Sequence, residues 1–163
     1  MKTPMKTILL PTLADTLAFG RLLGQSAQPG DVICLDGDLG AGKTTLTQAI
    51  ALGLEVPAND YVTSPSFAIL HEYQGRLPLY HMDFYRLTGA ADIQDLGLDE
   101  YFFLSGLVVL EWCERAGDLV PPTRLKINMT IGPDESRMLI CDPGVGPWKE
   151  RWQRLNFTSR DSL

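Results

Sequence analysis

One octapeptide limits what this chain can fold into more than any other feature: Gly37-Asp38-Leu39-Gly40-Ala41-Gly42-Lys43-Thr44, a complete G-x-x-x-x-G-K-[ST] run. Glycines let the backbone turn tightly, so that consecutive N–H groups converge on one anion. The flanks are those such a loop requires. Residues 31–36 (DVICLD) form an apolar stretch that reads as a buried strand. Residues 42–52 have the apolar spacing of a helix, with Gly53 read as its stop. The helix dipole adds its positive end to the same place. Lys43 is then set to reach β- and γ-phosphates, and the Thr44 hydroxyl to ligate Mg²⁺, with Thr45 next on the same turn. The expected cofactors are a nucleoside triphosphate and Mg²⁺, the loop alone leaving GTPases, small-molecule kinases and ATPases open; ATP is the nucleotide expected once the guanine signature is found missing.

The rest of the chain alternates around this unit. Residues 15–24 (DTLAFGRLLG) read as a helix ending at a glycine. Residues 67–73 and 77–83 read as strands about a turn at Gln74-Gly75, and 88–100 as an acidic, partly helical stretch. Residues 107–112 (LVVLEW) form a second strong central strand, while 125–131 and 138–141 pair as a hairpin across 132–135. Trp148, Trp152 and Leu155 share one face of a C-terminal helix, expected to dock on its own domain, within a tail of about 146–163. The expected fold class is α/β: a single nucleotide-binding domain over 1–163 with a mostly parallel central sheet, helices on both faces and a C-terminal antiparallel hairpin.

Composition narrows the class of partner. A net charge of −6 disfavours direct binding to nucleic acid through a basic surface, so DNA is not an expected partner and RNA would be met only through another protein. Cys34, Cys113 and Cys141 are widely spaced and form no CxxC, which reads as reduced thiols in a cytoplasmic protein. The apolar run at 8–10 is too short for a signal-peptide core, and no membrane span is expected.

A magnesium nucleotide site also needs a carboxylate at the end of a neighbouring strand. Two compete. Glu111 ends the stronger apolar run 107–110, and Asp83 ends the weaker run 79–82. One belongs to the metal side, and the other is left to position or deprotonate the attacking water. The turn Thr63-Ser64-Pro65-Ser66-Phe67 lies where switch segments supply a hydroxyl to the metal or the γ-phosphate. His81 has no second ligand at metal spacing and reads as packing or as hydrogen-bonded scaffold. Trp112 reads either as core or as a wall of the nucleotide site, and Arg137 lies in the hairpin near which the base is expected. The chain has no N-K-x-D guanine signature and no arginine-rich lid, which leaves an ATPase ahead of the alternative, a small-molecule kinase.

Five blocks in order carry a more specific likeness: GDLGAGKTTL (37–46), TSPSF (63–67), YHMDFYRL (80–87), LGLDEYF (96–102) and VVLEW (108–112). This succession resembles the TsaE family of bacterial ATPases in tRNA threonylcarbamoyladenosine biosynthesis. The resemblance implies partnership with TsaD and TsaB, which carry the transfer to the adenosine beside the anticodon. It gives Lys43 and Thr44 their phosphate and magnesium roles, Glu111 the magnesium shell and Asp83 hydrolysis. Ser66 takes the place of a threonine that is usual in the family. Cys113 stands where proline is common, and neither departure removes a reactive group. The segment 148–157 lies outside the resemblance.

Overall fold

The computed structural model describes residues 4–155 and 157. Seven strands form one sheet: β1 (Lys6–Leu10), β2 (Val32–Gly37), β3 (Leu70–Gln74), β4 (Pro78–Asp83), β5 (Leu107–Glu111), β6 (Leu125–Ile131) and β7 (Arg137–Asp142). Their order is β1-β7-β6-β2-β5-β4-β3. The four inner strands, β6, β2, β5 and β4, run parallel, and antiparallel pairs close both edges. The expected α/β domain with a parallel centre and a C-terminal hairpin is therefore present. β1 was not expected; it is an edge strand defined by its pairing with β7, a partner remote in sequence.

Burial explains why β2 and β5 read so clearly. Ile33, Leu35, Leu107 and Val109 face one side of the sheet and Val32, Cys34, Val108 and Leu110 the other, all buried. A strand covered on both faces has to be apolar at every position. On the first face lie helix α1 (Leu13–Ser26), helix α2 (Lys43–Gly53) and helix α4 (Pro147–Arg154). The second face is covered by the short helix α3 (Ala90–Asp95) and a 3₁₀ turn at Leu98–Phe103, where one acidic stretch was expected.

The end of α1 and the role of the glycine that ends α2 differ from the sequence reading for one reason. Gly24 lies inside α1, and a Cβ there would stand 2.1 Å from the Ile50 carbonyl. Gly53 closes α2 in the same way, with a Cβ position 2.2 Å from the Arg21 carbonyl. Both glycines serve close packing of α1 on α2 rather than a left-handed stop. α1 begins early because Thr12 and Asp15 form a capping box, each side chain bonded to the other's backbone N–H.

α4 docks as expected. Trp148 and Trp152 are buried, and Arg151 makes a bidentate pair of 2.6 Å bonds to the buried Asp31 while donating to the Ser26 carbonyl at 2.7 Å. The tail at 156 and 158–163 falls outside the described residues. No helix among the described residues is long and apolar enough to cross a membrane.

Candidate functional site

β2 ends at Gly37, and residues 38–42 lead into the first turn of α2. Gly42 caps that helix at φ 106°, a left-handed conformation that strains any residue with a Cβ. Gly37, at φ 151°, is fixed by space as well, since a Cβ would meet the Met129 carbonyl at 2.5 Å. The Lys43 ammonium lies over the loop, donating to the carbonyls of Gly37 and Asp38. Leu39 and Gly40 form the exposed tip, and Ala41 is buried beneath it. Thr44 and Thr45 are half-buried on the first turn.

The register of β4 on β5 settles the relation between the two acids. Asp83 pairs directly with Glu111, so both carboxylates leave the C-terminal ends of adjacent parallel strands side by side. Both are buried, at 6% and 3% exposure. They lie on the sheet face that α2 covers, because 79, 81 and 83 alternate with 107, 109 and 111 on that side. Burial holds the Asp83 carboxyl above its ordinary range, and Glu111 raises it further. The Tyr85 N–H, His81 and Lys43 oppose that shift. Lys43, Asp83 and Glu111 thus form one electrostatic group, although they come from three elements.

His81 does more than pack. Its Nε2 lies 3.3 Å from Glu111 Oε2, diagonally across the strand pair, and the ring is fully buried. Sequence reading had no signal for this contact, which joins residues 30 apart in the chain.

The segment 61–69 leads into β3, in the connection that follows α2. Gln48 Nε2 holds the Val62 carbonyl at 2.9 Å, and the Tyr73 hydroxyl accepts from Thr63 N–H at 3.3 Å. Arg86 Nε donates to the Ser66 carbonyl at 3.0 Å, with its guanidinium 4.1 Å above the Phe67 ring. Ser66 is therefore engaged through its backbone. Ile69 has φ 69°, an unusual conformation for a β-branched residue, and its carbonyl accepts from Asp83 N–H at 2.9 Å. This ties the segment to the backbone of Asp83.

Trp112 and Arg137 lie in different places. Arg137 Nε donates to the Ala41 carbonyl at 2.8 Å and pins the β6–β7 hairpin to the loop. It lines a cavity of about 260 Å³ with Thr12, Thr16, Gly42 and Thr45. Trp112, at φ 59°, is packed on Tyr85 and lines a separate small cleft with Asp36, Gly37 and Lys43.

The cysteines are free and buried. The sequence showed no metal pattern around them, yet the ligating atoms of Cys113, Asp36 and Glu114 come within 4.8 Å of one another. Asp36 already pairs with Lys126 at 3.3 Å.

The family model described as "Threonylcarbamoyl adenosine biosynthesis protein TsaE" matches residues 10–139. A relative in Bacillus subtilis (strain 168), named tRNA threonylcarbamoyladenosine biosynthesis protein TsaE, is 45% identical over 124 residues, covering 76% of each chain. One of the same name in Nostoc sp. is 40% identical over 144 residues, covering 85% of this chain and 86% of the relative. The crystal structure of Bacillus subtilis YdiB superposes with a TM-score of 0.75 at 36% identity, covering 95% of this chain and 93% of that one. The match takes in the glycine loop, the paired acids and the hairpin arginine, and the chain belongs to the TsaE family.

Proposed function

We propose that this chain is a magnesium-dependent ATPase that sustains the threonylcarbamoyl modification of the adenosine beside the anticodon in tRNA, working with TsaD and TsaB. The observation that carries this reading is the Asp83–Glu111 register beside the loop that presents Lys43. The tRNA-modification role is supported by the names of the relatives.

The residues present fit a magnesium nucleotide. The loop is a backbone cradle built on a left-handed Gly42, and two adjacent buried carboxylates offer the oxygens that a hard cation takes. A bound Mg²⁺ ion would neutralise charge on the β- and γ-phosphates. Thr44 and Glu111 would hold it, and Lys43 would turn from the loop carbonyls to the phosphates. Asp83 has Oδ1 fixed by the Tyr85 N–H at 2.9 Å, so Oδ2 would take the proton of the attacking water. Its raised pKa suits an acceptor that must not be too weak a base. The cavity beside Thr45 and Arg137 would receive the nucleoside. Trp112 would flank the phosphate side.

Ser66 would meet the γ-phosphate, so that ATP and ADP favour different arrangements of 61–69. The net charge of −6 supports contact with tRNA through the partners rather than directly.

The test is reconstitution with TsaD and TsaB. Phosphate release from ATP should rise with the pair, without a phosphorylated small-molecule product, and co-elution should be stronger with a non-hydrolysable ATP analogue than with ADP. Transfer of label to a small metabolite would instead establish a kinase. Equal co-elution in every nucleotide state would remove the switch.

A further inference from the structure

His81 costs the fold something that packing does not return. Its neighbours on the same sheet face, Leu79 on β4 and Val109 on β5, are apolar and fully buried. His81 shares their environment at 0% exposure, and its Nδ1 is buried with no hydrogen-bond partner among the described residues. An orphaned buried nitrogen is a standing penalty that an apolar residue of similar volume would avoid. The other nitrogen is committed. Nε2 lies 3.3 Å from Glu111 Oε2. A carboxylate only accepts, so Nε2 carries the proton of this bond.

The geometry follows from strand register. His81 is paired with Val109 and Asp83 with Glu111, so His81 and Glu111 are diagonal neighbours on one face of a parallel pair. The spacing H-x-D on β4 thus supplies two groups to the end of β5: Asp83 beside the glutamate and His81 beneath it. Glu111 is 3% exposed, and a carboxylate that deep can rotate unless a donor fixes it.

We propose that His81 is a positioning residue for Glu111: its Nε2–H holds Oε2, which fixes the plane of the carboxylate and leaves Oε1 to the cation shell. The inference rests on the magnesium-nucleotide reading above. It assigns His81 a function beyond scaffolding, without direct contact with nucleotide or metal.

The experiment compares wild type with His81→Leu, His81→Gln and His81→Asn. Mg²⁺ is titrated at fixed ATP, reading nucleotide binding by calorimetry and phosphate release. ATP binding in excess chelator and thermal unfolding are recorded for each chain. The glutamine amide nitrogen reaches the place of Nε2, whereas the asparagine amide falls at that of Nδ1. In His81→Leu the Mg²⁺ concentration for half-maximal binding should rise at least about tenfold, the loss typical of a group that orients a metal ligand. Chelator binding and unfolding temperature should stay near wild type. His81→Gln should restore most of the Mg²⁺ response and His81→Asn should not. An unmoved midpoint in His81→Leu overturns the inference while leaving the ATPase reading intact. Loss of chelator binding and of thermal stability in all three variants makes His81 structural and also overturns it. A wild-type chain without Mg²⁺-dependent ATP binding overturns the ATPase reading, and this inference with it.

Discussion

Asp83 and Glu111 are close enough to raise one carboxyl through the other, yet their proposed roles predict different losses. Water activation matters in the transition state and not in the ground state. Asp83→Ala should therefore leave Mg–ATP affinity within a few-fold of wild type and suppress phosphate release by a factor of about 10²–10⁴. Glu111→Ala should instead weaken the Mg²⁺ dependence of binding, because it deletes a group from the proposed metal shell. Calorimetry and phosphate release on both variants check this, and exchanged phenotypes would reverse the assignment. The two acids were legible in the sequence because each ends an apolar strand, which is a local signal. Which strand lay beside which was not local, and the relation between the acids became clear only from the register. The same limit hid His81, whose partner lies on another strand, and Ile69, whose backbone conformation has no residue-type signature when glycine is absent.

Helix packing sets the element scale. A Gly→Ala change inside a helix ordinarily gains about 0.5–1 kcal/mol. At Gly24 the added methyl would stand 2.1 Å from the Ile50 carbonyl and 2.9 Å from Gly53, so backbone would have to move. Overpacking of this kind costs about 1–3 kcal/mol and outweighs the propensity gain. Gly24→Ala should lower the unfolding temperature by several degrees in a thermal melt, whereas a gain in stability would mean that α1 and α2 can separate freely. α4 carries a second prediction. Arg151→Met removes the charged partner of the buried Asp31 and leaves it only the Gln28 N–H at 2.7 Å, and a buried carboxylate without its counter-charge costs about 3 kcal/mol. Urea unfolding should show that loss, and a difference under about 1 kcal/mol would place the pair with weak surface bridges. The sequence disclosed α4 through its tryptophan spacing. It ended α1 too early, at Gly24, and took Gly53, where α2 does end, for a capping glycine, because a packing glycine and a capping glycine look alike until the opposite helix is in place.

At the scale of the whole molecule, the order β1-β7-β6-β2-β5-β4-β3 brings distant segments to one end of the sheet. The loop after β2 meets the acids of β4 and β5 on one side and Arg137 of the β6–β7 hairpin on the other. The fold class was legible from the alternation of buried strands and helices. The edge strand β1 was not, since pairing with β7 and not its own pattern makes it a strand. All of the chemistry proposed here depends on the 37–44 loop receiving a triphosphate, with Lys43 as its side-chain cation. Isothermal titration of ATP in Mg²⁺ into wild type and Lys43→Ala tests this most directly. Wild type should bind saturably at one site, and the variant should lose about 1.5–3 kcal/mol, a factor of roughly ten to a hundred in affinity. Equal affinity in the two chains, or no binding by wild type, would contradict it.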